Sequence, residues 1–483
     1  MSILENLRPK EVFNYFEQIS NIPRGSGNEK RISDYLVEFA KSKGLEYIQD
    51  DYLNVIIKKP GTIGYENSAS VIIQGHMDMV CEKNSDKTHD FEKDPITIII
   101  EGDYIKADRT TLGADNGIAV AYMLTILSSD DMQHPPIEAL FTTDEEVGMN
   151  GAYALDTSKL TGRLLINVDS EDEGKLLVSC AGGMKATLHL PIKLENNISD
   201  KMAYTIKIRG LKGGHSGSEI DKQRANSNKL IGRVLSALYE NFEFNLVDLS
   251  GGAKDNAIPR EADATIVARI SDVSSVRKIT NKLQNIYKNE FKKCDSEIKV
   301  EVAETQKPQK IFDLESTKKV IDTLMLIPNG ISYMSLDIEG LVESSTNIGV
   351  VRTLESEVTF TSAIRSSVST RKDEIKNQMQ HLSNLIGGSL TIRGEYPAWE
   401  YNPNSKLREV FVEVYNEMYS KAPEIEAIHA GLECGLFAKK MPGIDMISLG
   451  PNMADVHTPD EKLSISSTAR IWDYLTEVLK SLK

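Results

Sequence analysis

A chain of 483 residues, 40% apolar and 26% charged, has the composition of an ordinary globular protein and the length for at least two domains. Its net charge of −15 argues against nucleic acid or an anionic membrane as the main partner, and no run of roughly 18 apolar residues offers a membrane span. Four scattered cysteines (Cys81, Cys180, Cys294, Cys434), and a start without a basic head and apolar core, point to a reducing cytoplasm rather than a disulfide-built secreted protein.

Apolar residues at helical spacing predict a helix over 9–20, with Pro9 in its first turn, and a second over 29–43 that stops at Gly44. Strands are predicted near 54–58 and over Val71-Ile-Ile-Gln-Gly-His76, and 96–100 with 104–107 read as a hairpin. The loop Arg109 to Gly117 opens a helix of small and apolar residues that runs to about Leu127. Strands at 137–142 and 164–168 follow, and each ends on acid: Asp144-Glu145-Glu146 and Asp169.

From about Lys185 the character changes to alternating strands, with helices near 222–240, 273–289 and 372–385. Residues 256–269 and 347–365 look like faint duplicates, so the insertion reads as two related halves or, equally, as one irregular sheet. A helix over 405–419, strands at 424–428 and 446–449, and a last helix over 466–482 return to the first pattern. The fold class is therefore α/β, with a mixed, largely parallel sheet built from 1–185 and 397–483 and an α+β domain of 186–396 inserted in it.

In such sheets ligands bind at the carboxyl ends of strands. His76, Glu145-Glu146 and Asp169 all lie at such ends, while Asp115 and His457 lie in loops. Two histidines and three carboxylates suffice for two metals if one carboxylate bridges, and Asp115, short and glycine-flanked, is the natural bridge. Imidazole with carboxylate suits zinc, and also manganese or cobalt. Asp78, two residues from His76 on the same extended face, is placed to hold its second ring nitrogen. Glu145 beside Glu146 allows one carboxylate on metal and one on the attacking water.

His76-Met-Asp78, Asp115-Asn-Gly117, Asp144-Glu-Glu146-Val-Gly148, Asn167-Val-Asp169-Ser170, Gly213-Gly-His-Ser-Gly217 and His457-Thr-Pro-Asp-Glu461 occur in that order. Together they resemble the dizinc metallopeptidase family that includes carnosinases, peptidase T and aminoacylases. The likeness covers nearly the whole chain, with no departure at a ligand position, and is greatest to the dipeptidases acting on aminoacyl-histidine substrates. It implies that His76 and Asp169 hold one zinc, Glu146 and His457 the other, and that Asp115 bridges. It further implies Glu145 as general base, Asp78 orienting His76, a cis peptide bond after Asp115, and His215 reaching the developing oxyanion. The inserted domain would be a lid, and a homodimer through it is expected.

Arg365, at the end of an apolar strand, is a candidate clamp for a substrate carboxylate. Asn256 is a candidate for hydrogen bonding the substrate or for capping a turn. Glu433 could meet a free α-amine or make a structural hydrogen bond, and His429 beside it is a further substrate-binding candidate. Cys81 and Cys434 are expected to be buried and are not read as nucleophiles. The implied reaction is hydrolysis of a small peptide, a dipeptide with a free N-terminus of the Xaa-His type. The alternatives are an N-acyl-amino-acid amidohydrolase of the same fold and a non-catalytic metal-binding relative.

Overall fold

The computed structural model describes residues 3–197 and 201–483. The chain divides into two compact units. The first comprises the residues up to Ser179 with Tyr401–Ala427 and Leu432–Lys483; the second comprises Cys180–Glu400 and Ile428–Gly431.

The first unit is built on an eight-stranded sheet in the order Glu46–Gln49, Val55–Lys59, Ile137–Thr142, Val71–His76, Leu164–Asn167, Asp445–Ser448, Lys175–Cys180, Glu424–Ile428. Four adjacent strands in it, Ile137–Thr142 to Asp445–Ser448, run parallel. Val71–His76 and Ile137–Thr142 are buried at every position, which is why they read as unbroken apolar runs rather than alternating ones. Helix Ala114–Ser128 is apolar around its whole circumference and almost wholly buried. It lies so close to the sheet that a Cβ on Gly75 would sit 2.5 Å from the Cβ of Ala119. The four parallel strands end on one side, so the loops after them converge there. A small sheet (Ile98–Glu101, Tyr104–Ala107, Lys462–Ser464, Met453–Ala454) carries the 455–461 loop.

The second unit is a sheet in the order Lys299–Thr305, Met202–Arg209, Ala262–Ala268, Asn245–Gly251, Val342–Thr353, Glu357–Ser366, Gly182–Pro191, Ser389–Tyr396, with Gly330–Met334 paired to Val342–Thr353. Each set of four strands has the same internal order, and the two sets meet where Ser250 and Gly251 face Arg352 and Val351. This is the architecture of two related halves. Helices Ser227–Tyr239, Val273–Glu290, Leu314–Leu326 and Ser369–Ile386 share one core with the strands, through residues such as Leu235, Leu324, Met379, Ile266 and Phe360. Helix Leu314–Leu326, capped by Asp313, is absent from the sequence reading. The helix predicted from 222 starts only at Ser227, where Asn226 accepts from the amides of Asn228 and Lys229. Among the described residues no helix is long and apolar enough to cross a membrane.

Candidate active site

In the first unit the strand ends bring five side chains together. His76 Nε2 lies 3.1 Å from Asp115 Oδ1 and 3.5 Å from Asp169 Oδ1. His457 Nε2 lies 3.1 Å from Asp115 Oδ2 and 3.0 Å from Glu146 Oε1. Each oxygen of Asp115 therefore faces a different imidazole, and each imidazole faces one further carboxylate. Donors about 2.0–2.2 Å from one tetrahedral cation are about 3.3–3.6 Å apart, close to the spacing seen.

The charges tell the same story. Burial pushes Asp169 up to about 6, with Asp115 and Glu146 adding to the rise and His76 opposing it. Hydrogen bonds to Asp115 and Glu146 push His457 up to about 11. Burial works to lower His76, yet Asp169, Asp115 and Asp78 hold it well above the ordinary imidazole value. Three carboxylates around two imidazoles are a surplus of negative charge that two divalent cations would neutralise. The donor set fits two such ions.

Asp78 is fully buried and does two jobs. Its Oδ1 lies 3.2 Å from His76 Nδ1, which leaves Nε2 facing Asp115. Its two oxygens also accept from the amides of Glu145 at 3.1 Å and Glu146 at 3.3 Å, fixing the acidic turn. Burial raises the Glu145 carboxyl well above its usual range, with His76 opposing and Asp169, Glu433 and Glu146 adding. The Asp115–Asn116 bond is cis. Asn116 Nδ2 donates to Val168 O at 2.6 Å, tying that loop to the segment before Asp169.

Glu433 is also in this unit, fully buried beneath the strand ends. Its Oε2 accepts from Gln74 Nε2 at 2.6 Å and Thr142 Oγ1 at 2.8 Å, and Gln74 Oε1 accepts from Asn167 Nδ2 at 2.7 Å. One carboxyl thus ties together the strands that end in His76, Glu145-Glu146 and Asp169. Sequence reasoning missed Gln74 and Thr142; a glutamine inside an otherwise apolar run was the available signal. Cys434 is buried, but Cys81 is exposed, against expectation. The chain leaves the sheet after His76, and residues 80–97 run as irregular surface segment.

In the second unit His215, Arg365 and His429 gather around Gly217. A Cβ there would meet His429 O at 2.7 Å, His215 Cε1 at 3.0 Å and Arg365 Nε at 3.1 Å, so only glycine permits this approach. Burial and the Arg365 charge lower the pKa of His215. Its Nδ1 accepts the Ser218 amide at 3.1 Å, so the neutral ring carries its proton on Nε2. Arg365 Nη1 donates to the Tyr396 hydroxyl at 2.9 Å, and its buried Nε has no partner among the described residues. His429 is held by Ser345 Oγ at 2.7 Å, and burial with Arg365 pushes it down to about 3. Asn256 is exposed, with its carbonyl accepting from the Ser216 amide at 2.9 Å beside the short ribbon of Gly214–His215 and Ala257–Ile258. Tyr396 and Ser345 carried no sequence signal.

Parallel strands ending on a shared cluster of imidazoles and carboxylates form a candidate metal centre, and the family match makes the chain a metallopeptidase. The chain belongs to peptidase family M20/M25/M40, whose sequence profile matches residues 72–481. It is 39% identical over 482 residues to the cytosol non-specific dipeptidase of Escherichia coli, covering 100% of this chain and 99% of that one. Its structure is similar to aminoacylhistidine dipeptidase from Vibrio alginolyticus, with TM-score 0.96, 37% identity, and 100% and 98% of the two chains covered. Aminopeptidase PepT from Bacillus cereus shares the fold at TM-score 0.57 and 15% identity, covering 99% of each chain.

Proposed function

We propose that the chain is a dinuclear metallodipeptidase of the cytoplasm that hydrolyses dipeptides with a free N-terminus, aminoacyl-histidine dipeptides among them. The observation that carries this is the pair of imidazoles facing opposite oxygens of Asp115. His76 and Asp169 would hold one ion, His457 and Glu146 the other, and Asp115 both. Bound zinc, or manganese or cobalt, supplies Lewis acidity and lowers the pKa of water to about 7. Glu145 takes a proton from the attacking water and returns it to the leaving amine, a task suited to a carboxyl with a raised pKa. His215 offers an Nε2–H to the developing oxyanion. Arg365, with Nη1 engaged and Nε free, presents one edge of its guanidinium to the substrate's carboxylate. Asn256 and His429 are assigned to substrate contact, and residues 186–396 to a lid that also makes a homodimer. The name of the Escherichia coli relative supports the cytoplasmic setting.

Metal counting on purified protein, together with turnover of aminoacyl-histidine dipeptides, tests the reading. Two ions per chain and measurable turnover are expected. Faster cleavage of an N-acetylated dipeptide than of its free form would instead establish the amidohydrolase alternative. Mass in solution tests the dimer.

A further inference from the structure

The loop of Asp115 leads into helix Ala114–Ser128, with Asp115 and Asn116 outside helical φ/ψ, so its backbone amides need acceptors from elsewhere. No side chain of the N-cap residue, Gly113, serves them. Glu461, only 2% exposed, supplies the acceptors from the far end of the chain. Its Oε2 accepts from Leu112 N at 2.7 Å and Gly113 N at 3.0 Å; its Oε1 accepts from Ala114 N at 2.8 Å and Asp115 N at 3.4 Å. Four consecutive amides are thus held by one carboxylate.

A second buried charge grips the other side of the same loop. Arg24, 2% exposed, donates Nη1 to Met77 O and Asp78 O at 3.1 Å each, and Nη2 to Gly113 O. Gly113 and Gly117 leave the space it fills: a Cβ on either would come within 2.6 Å of its guanidinium. Arg24 therefore joins the His76–Asp78 strand end to the loop of Asp115. Glu461 joins that loop to the turn carrying His457, four residues earlier in the sequence.

We propose that Glu461 and Arg24 are the positioning residues of the bridging ligand, fixing Asp115 between the two histidines so that both cations are bound at once. The proposal rests on the dinuclear reading above. Neither residue touches the donor atoms. Glu461 acts through the backbone of Leu112–Asp115, and Arg24 through the carbonyls of Met77, Asp78 and Gly113. Replacing Glu461 by glutamine puts an amide donor against two backbone donors, so the loop must move and the Asp115 oxygens with it.

The test is titration of metal-free protein with Co2+, following the visible absorption of the bound ion, alongside the thermal midpoint of the metal-free protein. Wild type is expected to take up two equivalents. Glu461→Gln is expected to bind the second at least about 10-fold more weakly, within the 10–100-fold range of outer-shell losses, and to alter the absorption bands. Arg24→Lys, which keeps the charge but loses the three-carbonyl grip, is expected to do the same and serves as an independent reading should Glu461→Gln not fold. A purely structural role would lower the midpoint of the metal-free protein and leave uptake by the folded molecules as in wild type. Two equivalents bound within about 2-fold of wild-type affinity, with unchanged bands, in the folded variants overturns the proposal alone. Wild type taking up fewer than two equivalents overturns the dinuclear reading and this proposal with it.

Discussion

The two units carry clusters of opposite electrostatic character. In the first, His76 and His457 are outnumbered by Asp115, Glu146 and Asp169, with Asp78, Glu145 and Glu433 nearby. In the second, His215, His429 and Arg365 face one another, and burial together with the guanidinium lowers the pKa of both imidazoles. The first arrangement demands cations, and the second invites an anion. A peptide substrate presents both needs, because its carbonyl requires polarising and its C-terminal carboxylate requires a partner. Under the proposed function, bond-breaking chemistry would come from the acidic cluster, and recognition and oxyanion support from the basic one.

The sharpest way to break that division is to remove the metals. Chelation is expected to abolish turnover and to lower the thermal midpoint, because each site filled at 100 times its Kd adds about 2.7 kcal/mol to folding. Re-addition of zinc should restore both. Unchanged activity after verified metal removal would end the reading of the acidic cluster as a metal centre. Next in size, Glu145→Gln should lower kcat by about 10²–10⁴-fold while metal content stays at the wild-type value. Loss of metal along with activity would assign Glu145 to ligation instead.

What the sequence made legible were the ends of strands. His76, Glu146 and Asp169 stand out because an apolar run stops just before each, and a parallel sheet gathers such ends on one side. Asp115 stood out by its glycines, and the duplication of the second unit by two faint similar stretches. The ties between these points were not visible. Glu461 is one acid in a polar turn, and its partner amides lie 346 to 349 residues earlier. The start of the helix was legible, because Asp115 and Asn116 stand outside helical φ/ψ and the regular turns follow them, as the glycine-flanked loop suggests. Glu433 had two open readings, and its hydrogen bonds from Gln74 and Thr142 were not visible in the sequence. Helix Leu314–Leu326 was missed because its pattern is impure: Met325 and Leu326 are 43% and 66% exposed.

The basic cluster is tested by its carboxylate partner. Hydrogen bonds to charged groups contribute about 1.5–3 kcal/mol, so Arg365→Met is expected to lower kcat/KM for a dipeptide by about 10–150-fold, mostly through KM. The same variant should differ little from wild type on the corresponding dipeptide amide, which lacks the charge. Equal losses on both substrates would place Arg365 outside carboxylate recognition. Tyr396→Phe removes only the hydroxyl that holds Arg365 Nη1, so a smaller loss of about 2–10-fold with the same substrate dependence is expected, the range of one neutral hydrogen bond.

A separate effect, on stability rather than activity, concerns His429. Its folded pKa of about 3 lies below the ordinary value of 6.5, through burial first and then the Arg365 charge, with His215 adding. Above pH 6.5 the ring is neutral in both folded and unfolded chains and stability does not depend on it. Between pH 6.5 and about 3 the unfolded chain binds a proton that the folded one refuses, so stability falls as pH falls, by an amount on the order of a few kcal/mol. Denaturant unfolding of wild type and His429→Gln at pH 7 and pH 4.5 isolates this term. Wild type should lose more stability than the variant on going to pH 4.5. Equal losses would mean that His429 takes up its proton in the folded state beside Arg365, and that the cluster tolerates a second positive charge where the comparison of the two units says it does not.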